Sequence, residues 1–370
     1  MSAAASPRAM TKHEHRSGAG PKPGRRWPSA RQIAADAATR IAGRVRQGAI
    51  TKGDPLHFEP EIEPNGTKLG FYHLYTRDSD RQTDDWLTSP VYVDEAEKQH
   101  PIDACHRAIS RFHAFLRTDD ERARAGFLAS ARALLDSGYR VTLDGHDCFV
   151  VPHHDQVEGY RPHHKPWLAS MVQGWSASLF LRAYQLAGDE RYVDAARRST
   201  GPFFVAVERG GLLGQLPHGL PFYEKYPFPG DTRHVFNGFM SSLFGLHDLA
   251  RATDDRAARS LFDTGIETVS DDRTLGAFDN GYSTLYDLGG GRRATPAGVF
   301  YTWVHARQIA GLSRITGSAK LMDWAHRWRD YVFKKRYTLR SSADCALFRS
   351  RRFPHYVRRS LRMGSAMNDA

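Results

Sequence analysis

Residues 221–249 read PFYEKYPFPGDTRHVFNGFMSSLFGLHDL, a stretch in which a stiff polar loop leads directly into an apolar helix. Pro227 and Pro229 interrupt the first half and prevent a helix there. In the second half, apolar residues recur every three or four positions and cover more than half of the circumference, which predicts a helix buried on several sides. Polar side chains on a rigid loop at the mouth of a buried helix are typical of an active site.

A short polar turn that occurs four times indicates a helical repeat. The turns begin at Thr118, Ala187, Thr253 and Thr316, at intervals of 69, 66 and 63 residues. The apolar helices predicted before them are 101–116, 167–186, 234–251 and 297–315, and more polar helices follow, such as 190–199 and 318–333. Repeated pairs of one buried and one amphipathic helix predict a mainly α fold, an (α/α)-toroid of about four helical hairpins. The loops 140–166, 210–233 and 270–296 are expected to line one rim.

The rest of the chain is expected to be less regular. The predicted divisions are a basic, largely disordered tail over residues 1–50 with an amphipathic helix at 29–47, an extended segment over 51–100, the toroid over 101–336 and a basic C-terminal tail over 337–370. A small β-hairpin is predicted over Tyr139 to Val151.

The net charge of +11 is concentrated at the two ends of the chain. Residues 1–50 and 333–370 each carry a charge of +8, so the middle carries −5. Such ends are either solvated flexible tails or recruit a polyanion, which could be an acidic polysaccharide, an anionic membrane surface or nucleic acid. The sequence contains no recognisable nucleic-acid-binding module, so nucleic acid is not expected as a partner.

Cysteine usage and hydropathy give the expected location. Cys105, Cys148 and Cys345 are scattered and odd in number, which is typical of a reducing compartment. The sequence shows neither a run of about 18 apolar residues nor a recognisable signal segment. These features predict a cytoplasmic protein, with contact to a membrane surface or a biosynthetic complex as the alternative.

Several blocks of residues resemble one enzyme family. The blocks are Trp167, Met171, Gln173-Gly174 and Arg182-Ala183-Tyr184; Tyr223-Glu224-Lys225-Tyr226-Pro227; Asn237-Gly238-Phe239, Ser242-Leu243, Gly245-Leu246 and Asp248-Leu249; Asp279, Gly281 and Tyr286-Asp287-Leu288; and Tyr301, His305, Gln308 and Arg327-Trp328. In this order they resemble the C-terminal domain of D-glucuronyl C5-epimerases, which act on heparosan and related glycosaminoglycan precursors. The resemblance runs from about Trp167 to Tyr331 and also implies a helical toroid.

The resemblance implies a uronate C5-epimerase that converts D-glucuronyl to L-iduronyl units in an acidic polysaccharide or a smaller glycan, without an organic cofactor. C5 epimerisation removes a proton next to a carboxylate and returns one to the opposite face, so two acid/base groups and a cation are needed. Tyrosine suits the acid/base role because its hydroxyl has an ordinary pKa of about 10. A nearby Lys or Arg favours the phenolate.

The family pattern places the catalytic groups at Tyr301, Tyr286, Tyr226 and Glu224. Residues expected to contact the substrate are Lys225, Arg292, Arg293, Asn237, Gln173, Trp167 and His305. Arg292 or Arg293 is expected to hold Tyr301 partly ionised. His305 lies one turn after Tyr301 on the same helix face, which is why substrate contact is expected. A buried core histidine is the alternative for this residue.

Two departures from the family pattern keep other functions open. Lys225 stands where the family has a second acid, and Gly289 stands where the family has an arginine. A lyase is one alternative because β-elimination also begins with removal of the C5 proton. The other alternative is a glycan-binding or scaffold protein without catalysis. The segment before the first inner helix is also too short for the β-sandwich that family members carry. Either the cleft is shallower, or a second chain, as in a homodimer, completes it.

A group of histidines is the only candidate for a metal centre that the sequence offers. His153-His154-Asp155 and His163-His164 lie on one predicted loop. Adjacent histidines point apart, and the sequence places no third ligand at helical spacing. No bound metal is therefore expected.

Overall fold

The computed structural model describes residues 53–58, 101–154, 166–348 and 350. All of these belong to one compact unit, residues 47–370. The predicted amphipathic helix at 29–47, most of the extended segment 51–100 and the end of the basic C-terminal tail lie outside the described residues.

Four helical pairs form the described body. They are α1 (Pro101–Thr118) with α2 (Glu121–Ser137), α3 (Ser170–Ala187) with α4 (Glu190–Arg198), α5 (Phe236–Thr253) with α6 (Arg256–Ser270), and α8 (Gly298–Thr316) with α9 (Ala319–Phe333), while α7 (Asp272–Ala277) is a single short helix. The two members of each pair pack together, and the first members contact one another in the order α1, α3, α5, α8. The predicted mainly α fold is confirmed. Closure of the pairs into an (α/α)-toroid stays a prediction.

The repeated polar turn has a common physical cause. The second helix of each pair begins after an N-cap side chain that accepts a backbone N–H, and these caps are Asp120, Asp189, Asp255 and Ser318. The residue before each cap has a positive φ, and these residues are Asp119, Gly188, Asp254 and Gly317. A left-handed residue ends one helix and the cap starts the next, so the chain reverses within two or three residues.

The central helices α3 and α5 approach so closely that only glycine fits at their crossing. A Cβ atom at Gly245 would lie 1.9 Å from the carbonyl oxygen of Gly174. Next to this contact, Arg182 of α3 donates to Asp248 of α5 at 2.7 Å, and both side chains are largely buried. Two of the sequence blocks described above therefore serve the helix packing.

Short antiparallel strand pairs connect the helical pairs. The strands β1 (Tyr139–Leu143) and β2 (His146–Val150) form the predicted hairpin, which is confirmed. β3 (Leu213–Gln215) pairs with β4 (Pro221–Tyr223), and β5 (Leu285–Asp287) pairs with β6 (Thr295–Pro296). The last residues of β4 and β5 lead into the site described below.

Both ends of the described chain pack on the last helical pair. Trp303 and Arg307 of α8 donate to the carbonyl oxygens of Gly53 and His57 at 2.9 and 2.7 Å. Residues 335–348 are helical, although the sequence placed most of them in the basic tail. Ser341 of this helix is buried. None of the helices in the described ranges is long and apolar enough to cross a membrane.

Candidate active site

A lysine and three tyrosines form the centre of the candidate site. The Nζ atom of Lys225 donates to the hydroxyl of Tyr286 at 3.0 Å. The same atom lies 5.3 Å from the ring centre of Tyr226 and 5.5 Å from that of Tyr286. The ring of Tyr301 meets that of Tyr286 edge to face, with 4.7 Å between the centroids. Lys225 therefore contacts two of the three predicted tyrosines, and the third packs on Tyr286.

The position of Lys225 depends on a glycine in the first turn of α5. A Cβ atom at Gly238 would lie 2.6 Å from the Cβ atom of Lys225, so the lysine stem packs directly against the helix backbone. A stem held in this way has lost much of its freedom before any ligand binds, which favours a fixed ammonium position.

A buried ion pair holds the strand that carries Tyr286. Arg233 donates to Asp287 at 3.2 Å, and both side chains are about 1% exposed. Asp287 also accepts the backbone N–H of Thr295 at 3.1 Å, while Leu288 donates its N–H to the carbonyl oxygen of Arg233 at 2.8 Å. Sequence reasoning missed Arg233, although its place next to the quoted apolar helix was a usable signal.

The glycines after β5 explain one departure from the family pattern. Gly289 has a φ of +87°, and a Cβ atom there would lie 2.1 Å from the carbonyl oxygen of Arg292. A side chain at Gly290 would meet the carbonyl oxygen of Thr232 at 2.2 Å. An arginine at position 289 is therefore incompatible with this turn.

Aromatic side chains form the wall beside Tyr226. The ring centre of Trp167 lies 5.7 Å from that of Tyr226 and 5.4 Å from that of Phe228. Trp167 also stacks on His153, with 3.9 Å between the ring centres. Burial raises the pKa of Tyr226 well above its ordinary value, and the charge of Lys225 opposes this only in part. Tyr226 is therefore a neutral hydroxyl, suited to donating a hydrogen bond or a proton.

Glu224 pairs with a different residue from its neighbour Lys225. Its side chain is fully buried, and its Oε1 atom lies 2.5 Å from Nδ1 of His234. Burial raises the pKa of Glu224, while the hydrogen bond and charge of His234 act in the opposite direction. Sequence reasoning did not identify His234, because its pairing depends on the backbone between the two residues.

Other predicted site residues have structural partners. The side-chain amide of Gln173 forms two hydrogen bonds with the end of the hairpin. Its oxygen accepts from the N–H of Val151 and its nitrogen donates to the carbonyl oxygen of Phe149, each at 2.9 Å. Asn237 is buried and receives a hydrogen bond from Gln308 at its backbone oxygen. Substrate contact by Gln173 and Asn237 stays a prediction.

The two loop arginines differ in their surroundings. Arg292 pairs with Asp231 at 3.3 Å and is partly exposed, whereas Arg293 is exposed to solvent. The cation seen in contact with the tyrosines is Lys225. The predicted effect of either arginine on Tyr301 stays a prediction.

His305 lies in the core. It is fully buried, its Nδ1 atom is 2.8 Å from the hydroxyl of Thr284, and its ring meets Phe236 edge to face. Burial lowers the pKa of His305 to about 3. This geometry supports the buried core histidine that the sequence offered as the alternative.

The pKa of His305 predicts a loss of stability in mild acid. Between pH 7 and pH 5 the unfolded chain gains a proton at this residue, whose ordinary pKa is about 6.5, and the folded protein does not. The free energy of unfolding should therefore fall by about 2 kcal/mol from this residue alone. Urea denaturation of the wild type and of His305→Gln at both pH values measures this difference. The variant should lose less stability on acidification than the wild type.

The described residues contain no group of three or more His, Cys, Asp or Glu side chains arranged to hold a metal ion. Asp155, His163 and His164 of the histidine loop lie outside the described residues. His153 is buried against Trp167.

Part of the chain matches a known family of domains. Residues 148–330 match the family model described as D-glucuronyl C5-epimerase C-terminus, so the resemblance noted in the sequence is confirmed. The matched region contains both the Lys225 and tyrosine cluster and the Glu224–His234 pair.

Two relatives show how far the similarity extends. The chain is 31% identical over 186 residues to a Caenorhabditis elegans protein named D-glucuronyl C5-epimerase. The aligned region covers 46% of this chain and 29% of that protein. The chain is 27% identical over 168 residues to an uncharacterized protein of Methanocaldococcus jannaschii, covering 45% of this chain and 53% of the relative. The chain thus spans roughly a third to a half of the relatives' own lengths.

Proposed function

We propose that this protein is a uronate C5-epimerase that acts on glucuronyl units of an acidic polysaccharide or smaller glycan. The observation that carries the proposal is the hydrogen bond from Lys225 to Tyr286 among three tyrosines. It is supported by the family match over the same residues.

The cluster supplies the groups that C5 epimerisation needs. The Lys225 ammonium is a fixed positive charge for the substrate carboxylate, which gains negative charge as the C5 proton leaves. An ammonium that donates to a phenol oxygen also stabilises the phenolate of Tyr286 when this hydroxyl transfers its proton. Tyr226, neutral through burial, can donate a hydrogen bond to the developing enediolate.

The replacement of the family's acid by Lys225 fits this scheme. A carboxylate at position 225 would stand beside a carboxylate substrate, whereas the lysine attracts it. The polar loop and the wall formed by Trp167, Tyr226 and Phe228 would receive the sugar ring, whose apolar face packs on aromatic side chains.

Isotope exchange tests this function directly. The protein is incubated in D2O with glucuronate-containing polymers, heparosan among them, and C5 deuterium and L-iduronyl units are measured by NMR. We expect deuterium at C5 together with the second epimer. Absorbance from an unsaturated uronate would instead identify a lyase, and binding without exchange or cleavage would identify a glycan-binding protein. The epimerase proposal fails if none of several polymers acquires deuterium at C5.

A further inference from the structure

The pair formed by Glu224 and His234 has the features of an acid/base dyad. Oε1 of Glu224 lies 2.5 Å from Nδ1 of His234, a close contact between a carboxyl oxygen and a ring nitrogen. The carboxylate is fully buried, and its Oε2 atom has no hydrogen-bond partner among the described residues. A carboxylate that holds one ring nitrogen orients the imidazole and stabilises its protonated form.

The backbone of His234 adopts a strained conformation. Its φ is +55°, a left-handed conformation that non-glycine residues seldom adopt and that costs about 1–3 kcal/mol. The strain places the ring beside Glu224 and against the edge of Phe222, with 5.4 Å between the ring centres. Strained residues of this kind cluster at functional sites.

Both side chains of the dyad are buried, and only His234 retains some exposure. The His234 side chain retains 8% exposure, whereas Glu224 has none. Because Nδ1 is occupied by the carboxylate, Nε2 is the ring nitrogen available to a ligand.

The dyad adjoins residues that hold the tyrosine cluster in place. Glu224 precedes Lys225, which binds Tyr286, and His234 follows Arg233, which pairs with Asp287. His234 lies one residue before the N-cap of α5, whereas Tyr286 lies in β5. Two proton-transfer groups that approach from separate elements match the requirement of a two-base epimerisation.

We propose that His234 is a second catalytic residue, which exchanges the C5 proton on one face of the uronate while Tyr286 serves the other face. This assignment rests on the proposed function. Nε2 of the neutral imidazole takes the C5 proton, and the electron pair of the C–H bond moves into the carboxylate to form the enediolate. As this electron pair returns to C5, the Tyr286 hydroxyl delivers its proton to the opposite face. Lys225 stabilises the phenolate, and both groups regain their resting protonation by exchange with water.

Glu224 is a positioning residue in this scheme. It keeps Nδ1 of His234 protonated and stabilises the imidazolium that forms when Nε2 accepts the proton. Its own contact with the substrate is not required.

The test is the exchange of C5 hydrogen in D2O, followed separately for D-glucuronyl and L-iduronyl polymers. His234→Asn is the variant of choice because asparagine tolerates a positive φ better than other residues with a side chain. We expect overall epimerisation to fall by about 10²–10⁴-fold. Exchange should persist for one epimer and be lost for the other, and Tyr286→Phe should show the opposite preference. Glu224→Gln should weaken exchange of the same epimer as His234→Asn, and to a smaller degree.

The matched control is His218→Asn, in the turn between β3 and β4. His218 is half-buried and its Nε2 atom lies 3.0 Å from the hydroxyl of Thr274. This variant should exchange both epimers at the wild-type rate. Equal loss of exchange for both epimers in His234→Asn, or no loss, would overturn the assignment while leaving the epimerase function in place. A wild-type protein that exchanges neither epimer would overturn the proposed function and the assignment with it.

Discussion

Tyr286→Phe is expected to slow the combined epimerisation by about 10²–10⁴-fold, the usual effect of losing one acid/base group. The substitution removes a single oxygen, which receives the hydrogen bond of Lys225. The ring remains in contact with Tyr301. The fold should lose only about 1 kcal/mol of stability, the contribution of one hydrogen bond. Epimer ratios by NMR and urea denaturation measure the two effects separately.

Tyr282→Phe is the matched control for this prediction. Tyr282 lies in the loop just before β5, and its hydroxyl donates to Asp344 of the helix 335–348 at 2.6 Å. The control should show a similar loss of stability and a wild-type rate of epimerisation. Tyr286 has no part in the chemistry if its variant folds normally and epimerises at the parent rate. Tyr301→Phe should also slow the reaction, since the family resemblance predicts an acid/base role for Tyr301.

Asp287→Ala is expected to destabilise the protein by about 3–5 kcal/mol, because it leaves the buried Arg233 without its carboxylate. The cost is large since the guanidinium cannot lose its charge and the site gives it little contact with water. The same change should loosen the strand that presents Tyr286. Urea denaturation measures the loss of stability.

Asp136→Ala provides the control for the ion pair. Asp136 pairs with Arg132 at 2.9 Å on the surface of α2, and both side chains are about half exposed. Exposed pairs of this kind contribute less than about 1 kcal/mol. If the two variants lose equal stability, the buried pair has no special role in holding β5.

Several residues that carry the family resemblance stabilise the fold. Asp279 accepts hydrogen bonds from the indole of Trp328 at 3.0 Å and from the hydroxyl of Tyr331 at 3.2 Å, which ties the loop before β5 to α9. Gly174 and Gly245 allow the close crossing of α3 and α5. Much of the family pattern in this sequence therefore reflects helix packing, and only a part of it reflects chemistry.

The sequence alone determined the helical pairs and the approximate place of the site. Helix periodicity, left-handed end residues and N-caps are local features, so the repeat at Thr118, Ala187, Thr253 and Thr316 could be recognised without a structure. The gathering of three tyrosines was predictable for a different reason, since it followed from the resemblance to a family.

Only the tertiary structure decided which groups act on one another. Lys225 and Tyr286 are 61 residues apart, and their contact depends on the missing side chain at Gly238 and on the buried pair that holds β5. Glu224 lies beside Lys225 in sequence but pairs with His234, because the left-handed backbone at residue 234 turns the imidazole toward it. Such contacts arise from backbone conformation and packing at a distance, which periodicity and spacing along the chain do not encode.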